Sequence, residues 1–291
     1  VQKITLSLGL TAVLGLTGCM AEDDDEVTNE QGQTVTDQTV ALSGFWDGQL
    51  NQTTDLRLLI YNGNVYGRDA DNGYYGTITL NAGDQTSLAS LTSYAMNAGS
   101  DSAANQLIAD GNSAAYEFDT QLTSLSASND SLFGSYNIDS TPTGNVQLTR
   151  DGTWDNNSPL SALTKTGKWT ASNYELVITR AGDSATFTGV STDAGNAGCN
   201  FRGRLSNIDS NYNLYRATLT QREDCVAFNT TDVSGFAGFN TDGDLEFYFR
   251  DNNAMLFMTF TPPADQTSGG DSGDGSTPDE GDGGAEEPAA E

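Results

Sequence analysis

Histidine is missing from all 291 residues. That removes the commonest general base, and with it the Ser-His and Cys-His pairs that activate nucleophiles. It also removes the ring nitrogens that complete many zinc sites. No Gly-x-Ser-x-Gly elbow, Ser-x-x-Lys nucleophile or glycine-rich phosphate loop occurs either. Aspartate is plentiful enough for a two-carboxylate hydrolase, but nothing singles out a pair. The expectation is a protein that is not an enzyme and uses no metal or cofactor.

Positive charge is also scarce. Lys and Arg number 12 against 40 acids, a net charge of −28. Such a chain does not bind nucleic acid by neutralising phosphates, and anionic lipid repels it. The acids are unevenly placed. Residues 20–40 hold seven and no base, led by Glu22-Asp23-Asp24-Asp25-Glu26, and residues 263–291 hold nine and no base. Both stretches lack the apolar content that would offset the entropy of ordering them, so they read as a disordered linker and a disordered tail. The middle is acidic as well, and a salt-tolerant source would account for the excess without any function.

Long apolar runs are lacking too. The uncharged, mostly apolar segment from Ile4 to Leu16 would rise only about 20 Å as a helix, against roughly 30 Å of bilayer hydrocarbon. It follows Lys3 and ends at Leu16-Thr17-Gly18-Cys19, the charge, apolar core and small residues of a secretory signal. That ending resembles the lipobox of bacterial lipoproteins. The resemblance implies cleavage before Cys19 and attachment of palmitate-type chains to it, more than one being needed for a stable anchor. Met20, where Asp would retain the protein at the inner membrane, implies the outer membrane, on its periplasmic face or at the cell surface. The acidic run after Cys19 loosely resembles signals that carry some lipoproteins to the surface.

With Cys19 lipidated, Cys199 and Cys225 are left as a pair. An exported chain meets an oxidising compartment, where a disulfide is the expected state. Two free thiols or a metal pair are the alternatives, and a metal pair would lack further His or Cys ligands.

Between the flanks, hydrophobic order has period two. Leu56, Leu58 and Ile60 alternate with Arg57, Leu59 and Tyr61; Tyr174, Leu176 and Ile178 alternate with Glu175, Val177 and Thr179. Such runs, divided by Asn, Gly, Asp and Ser clusters, are strands and turns. Tyr61-Asn62-Gly63-Asn64 carries a strong hairpin signal. Only residues 100–110 suggest a short helix. The halves also answer one another. Trp46 and Trp169 open them, strands Asp55–Tyr61 and Tyr174–Arg180 follow, and Gly67 and Gly189 close the next hairpins. Asp69 to Gly73 answers Asp193 to Asn196, Tyr75-Gly76 answers Arg202-Gly203, and Phe133-Gly134 answers Phe236-Ala237. The expected fold is all-β, with two tandem, internally repeated antiparallel β-barrel or β-sandwich domains. The expected segments are 1–18 (signal peptide), 19–40 (lipidated Cys and linker), 41–158 and 159–262 (the two repeats) and 263–291 (tail).

Gly44-Phe45-Trp46 and Gly167-Lys168-Trp169 resemble the first strand of lipocalins. The resemblance implies that each Trp closes a barrel end beneath an Arg from a late strand, for which Arg150 and Arg250 are candidates. The alternative is that each Trp simply fills core. Asp69-Ala70-Asp71-Asn72-Gly73 and Asp209-Ser210-Asn211-Tyr212-Asn213 resemble the start of a calcium loop, but ordinary turns use the same residues, and the turn reading is preferred. The most unusual feature is basic: Arg202, Arg204, Arg216 and Arg222 fall in and around the Cys199–Cys225 loop. They either pair with Asp209, Glu223 and Asp224 or contact an anionic ligand. The functional expectation is an envelope lipoprotein with a binding or assembly role, meeting a protein, a polysaccharide or a hydrophobic ligand. The alternative is a lipocalin-like carrier.

Overall fold

The computed structural model describes residues 41–81, 83–97, 106–124, 130–252 and 254–264. The expected signal segment, Cys19, the acidic stretch before residue 41 and everything beyond Ala264 lie outside them. The chain divides into two compact units. Among the described residues, one runs to Asn97 and resumes over Ala109–Trp154, and the other takes 106–108 and everything from Asp155 onward.

The first unit holds β1 (Gly44–Leu50), β2 (Thr54–Tyr61), β3 (Asn64–Arg68), β4 (Asn72–Asn81), β5 (Thr86–Met96), most of β6 (Gln106–Ser124), β7 (Asp130–Ile138) and β8 (Thr141–Arg150). Each strand pairs antiparallel with the next, and β8 pairs back onto β1, which closes an eight-stranded barrel. The period-two pattern decides which face is buried. Leu56, Leu58 and Ile60 of β2 enter the core, as do Val146 and Leu148 of β8, joined by Trp46, Tyr74, Phe118 and Tyr136. In the β2–β3 hairpin, Asn62 and Gly63 both have positive φ, 49° and 74°, the backbone a two-residue primed turn requires. Closure needs sharp local bends, and glycine supplies them. A Cβ on Gly48 would stand 1.8 Å from the Gln147 carbonyl oxygen, and one on Gly76 2.0 Å from that of Ser90.

After a 3₁₀ turn, Gly152–Asp155, and one helical turn, Leu160–Leu163, the second unit runs through eight more strands. They are β9 (Trp169–Ala171), β10 (Tyr174–Ala181), β11 (Ser184–Ser191), β12 (Asn200–Asn207), β13 (Tyr215–Glu223), β14 (Val233–Phe239), β15 (Leu245–Asp251) and β16 (Ala254–Phe260). They form an antiparallel meander, and a Thr170–Thr261 bridge brings β9 back beside the end of β16. Its core faces carry Leu176, Ile178, Phe187, Phe201, Leu219, Phe247, Phe249 and Phe260. On Gly203, in the fourth strand of this unit, a Cβ would stand 2.1 Å from the Thr218 carbonyl oxygen. Gly76 makes the same kind of approach in the fourth strand of the first unit.

Two expectations need correction. Residues 106–110 belong to β6, not to a helix. The segment is too short to sustain a helix alone, and the β-ladder claims its backbone, Ala109 pairing with Met96. The last proposed internal match also fails to align by strand: Phe133 lies in the seventh strand of its unit, Phe236 in the sixth of the other.

Candidate functional site

Trp46 and Trp169 are both fully buried core residues. Each indole N–H donates to the carbonyl of a buried leucine upstream, Trp46 to Leu42 at 2.9 Å and Trp169 to Leu163 at 3.2 Å. That satisfies the one polar atom of each ring, as a buried Trp requires. Arg150, the last residue of β8, stands directly opposite Trp46 in the β1–β8 register. It ion-pairs with Asp130 at 3.2 Å and donates to the Ser43 carbonyl at 2.7 Å, tying the end of β8 to the entry of β1. The second unit differs. Arg250 lies on β15 opposite Met255, and strand alternation turns it away from the core face of Phe247 and Phe249. The cation over the Trp169 ring is Lys165, 5.9 Å from its centroid, a residue the sequence reading did not single out.

Cys199 and Cys225 are joined by a disulfide. It ties the start of β12 to the segment after β13, and Arg222 fixes that segment from inside. Arg222 is 1 % exposed. It donates to the Ala227 carbonyl, to the Phe228 carbonyl at 3.1 Å and to the Gln106 side-chain oxygen at 2.7 Å. Burial pushes its guanidinium down to about 10, with the Tyr174 hydroxyl acting in the opposite sense. Arg222 is therefore a structural cation, separate from its three neighbours in sequence.

Arg202, Arg204 and Arg216 are exposed. A register shift between Arg202 and Gly203 in the β12–β13 pairing accompanies the split, with Arg216 pointing outward near one end of β13 and Arg222 inward near the other. Arg204 faces Thr186 on β11 and Thr218 on β13; Arg202 faces Thr188 and Gln221; Arg216 faces Ser206, two residues beyond Arg204. Among the described residues none of the three has an ion pair or a side-chain hydrogen bond. The alternatives named from sequence, Asp209, Glu223 and Asp224, leave them unpaired. The carboxylate of Asp209 instead accepts from the Asn211 amide at 2.9 Å.

The other loop that resembles a calcium site is closed on itself. One oxygen of Asp69 accepts from the amides of Asp71 and Asn72 at 2.7 and 2.6 Å, and the other from the Tyr74 hydroxyl at 2.5 Å. In the second loop, Asn213 exchanges hydrogen bonds with the Phe239 backbone. Both are turns braced by their own side chains.

No protein-family model matches the chain, and no curated protein matches it. Among solved structures it is similar to intact Ap-TbpB (N and C lobes), at 10 % identity and a TM-score of 0.15. The match covers 74 % of this chain and 66 % of that one, just under two thirds of its length. A likeness that slight carries no argument about function.

Proposed function

We propose that this protein is an outer-membrane lipoprotein held by lipid on Cys19, and that its two β units are repeated barrels with a non-enzymatic binding or assembly role. The observation that carries the choice of role is the packing of aromatic rings inside both units. In the second unit Phe187, Phe201, Phe247, Phe249 and Phe260 pack ring against ring with centroids 5.4 to 6.5 Å apart. In the first, Tyr74, Tyr116, Phe118 and Tyr136 do the same at 5.1 to 6.5 Å. A carrier of hydrophobic molecules keeps that volume for its ligand. Interiors occupied by the protein's own rings leave binding to the outer surface. The reading as duplicated barrels is supported by the matching indole-to-leucine hydrogen bonds and by Gly76 and Gly203 at the same strand ordinal. The anchor rests on the residues of the lipobox.

The test is membrane fractionation of the full-length chain beside Cys19→Ser. The wild type is expected in the outer-membrane fraction with acyl chains on its amino-terminal peptide by mass spectrometry, and Cys19→Ser in the soluble envelope fraction. An unacylated wild-type chain that fractionates identically to Cys19→Ser would overturn the anchor.

A further inference from the structure

We infer that the outer face of β11, β12 and β13 is a binding stripe for a linear acidic polysaccharide, gripped by Arg202, Arg204 and Arg216. This deepens the reading of the protein as a surface-binding module and rests on it. Arg202 and Arg204 are two residues apart on one strand, hence on one face and about 7 Å apart. Arg216 faces Ser206, the next outward position after Arg204, so it extends the row diagonally by a further 7–8 Å or so. Three guanidiniums therefore stand in a short line on a rigid sheet, exposed and unpaired among the described residues, in a chain of net charge −28. Each offers a planar fork of donors that suits a carboxylate, sulfate or phosphate ester. The exposed hydroxyl residues Thr186 and Thr188 run alongside on β11, the polar company a polyhydroxylated chain would use.

The shape of the charge selects the partner. Each of the three strands is paired on both sides, so no free edge is offered for a peptide to add as a strand. A bilayer or a globular acidic protein would bring a broad anionic surface against a strongly acidic molecule, and beyond the stripe the contact would be repulsive. A thin polymer touches the stripe alone, while screening over about 8 Å at physiological salt dims the rest of the protein's field.

The test uses the purified full-length chain and titrates it with dextran sulfate, with unsulfated dextran of the same length, and with phosphatidylglycerol vesicles. Dextran sulfate is expected to bind with an affinity that falls as salt rises, and plain dextran is expected not to bind. The triple variant R202S/R204S/R216S should lose about tenfold or more of the affinity. It should keep the wild-type unfolding transition, because the three side chains are exposed, and R180S should bind as the wild type does. Failure of dextran sulfate to bind, undiminished binding by the triple variant, or vesicle binding through the same arginines would each overturn the polysaccharide. None of these outcomes bears on the anchor or the filled interiors, which fail only by their own tests.

Discussion

Gly44 and Arg150 share one position at the entry of the first barrel: a Cβ on Gly44 would stand 2.9 Å from Nε of Arg150. The glycine leaves room for the guanidinium to reach the Ser43 carbonyl and Asp130. Both ends of the ion pair are largely enclosed, with side chains 15 % and 14 % exposed. Removing one end of an enclosed pair leaves the other uncompensated, so Arg150→Ala is expected to cost about 3 kcal/mol. Gly44→Ala should cost roughly 1–3 kcal/mol, by straining a backbone whose φ is 152° and by displacing the side chain. In urea unfolding the double variant should cost less than the sum of the two, because the loss of the Arg150 contacts is common to both changes while the backbone strain at Gly44 is not. Additive costs would mean that the two residues act separately.

The disulfide and Arg222 hold the same segment by independent means. Reduction, or Cys199→Ser with Cys225→Ser, should lower stability by about 3.5 kcal/mol on the chain-entropy account. Arg222→Met leaves one buried and two part-buried acceptors without this donor and should cost about 3 kcal/mol even with the disulfide intact. Arg222→Lys should not restore it, since a single ammonium cannot serve both carbonyls and Gln106 in the geometry of a planar fork. Urea melts of the oxidised and reduced forms of each variant measure both effects.

Alkaline pH should destabilise both units. Burial first, and the adjoining Asp69 carboxylate second, raise the Tyr74 phenol well above its ordinary value, and burial likewise raises Tyr215. In the unfolded chain these phenols ionise near 10, so from there upward the unfolded state sheds protons that the folded state keeps. Their contribution is complete below that pH and falls away above it. Phenolate absorbance should therefore rise in two stages, exposed tyrosines first and the buried ones together with unfolding. Ionisation of every tyrosine in one stage with the fold intact would contradict the burial of Tyr74 and Tyr215.

Asp69 gives a sharper test of the turn. Its oxygens are occupied by two amides and a hydroxyl, so Asp69→Ala should cost about 2 kcal/mol or more. Addition of calcium or of a chelator should leave the thermal midpoint of the wild type unchanged. A calcium-dependent rise abolished by Asp69→Ala would make the loop a metal site.

Much of the strand pattern was legible because period two is a local property. Leu176 and Ile178 announce an inward face, and Asn62-Gly63 announces the turn between β2 and β3. The pairing of Cys199 with Cys225 was legible from the cysteine count together with the expectation of export. What escaped was set by register. Nothing local says that Arg222 faces inward while Arg216 faces out, because the shift beside Gly203 arises in the pairing of two strands. The partner of Arg150 at Asp130, 20 residues away, is set by the β7–β8 register, in which Ser131 faces Thr149, and the reach of Gln106 to Arg222 joins residues 116 apart in the chain. Arg250 was a candidate for the place over Trp169 through the lipocalin resemblance, but it falls on the outward parity of β15, and Lys165 stands over that ring instead. The strand at 106–110 was obscured because so short an apolar run has no decisive period.

The most direct test of the central claim is native mass spectrometry of the intact protein extracted from envelope membranes. A lipidated outer-surface binding protein with filled interiors predicts the mass of the acylated chain beginning at Cys19, with no small molecule released on activation. A stoichiometric adduct of a few hundred daltons that leaves on activation would mean that an interior holds a ligand, and the protein would be a carrier.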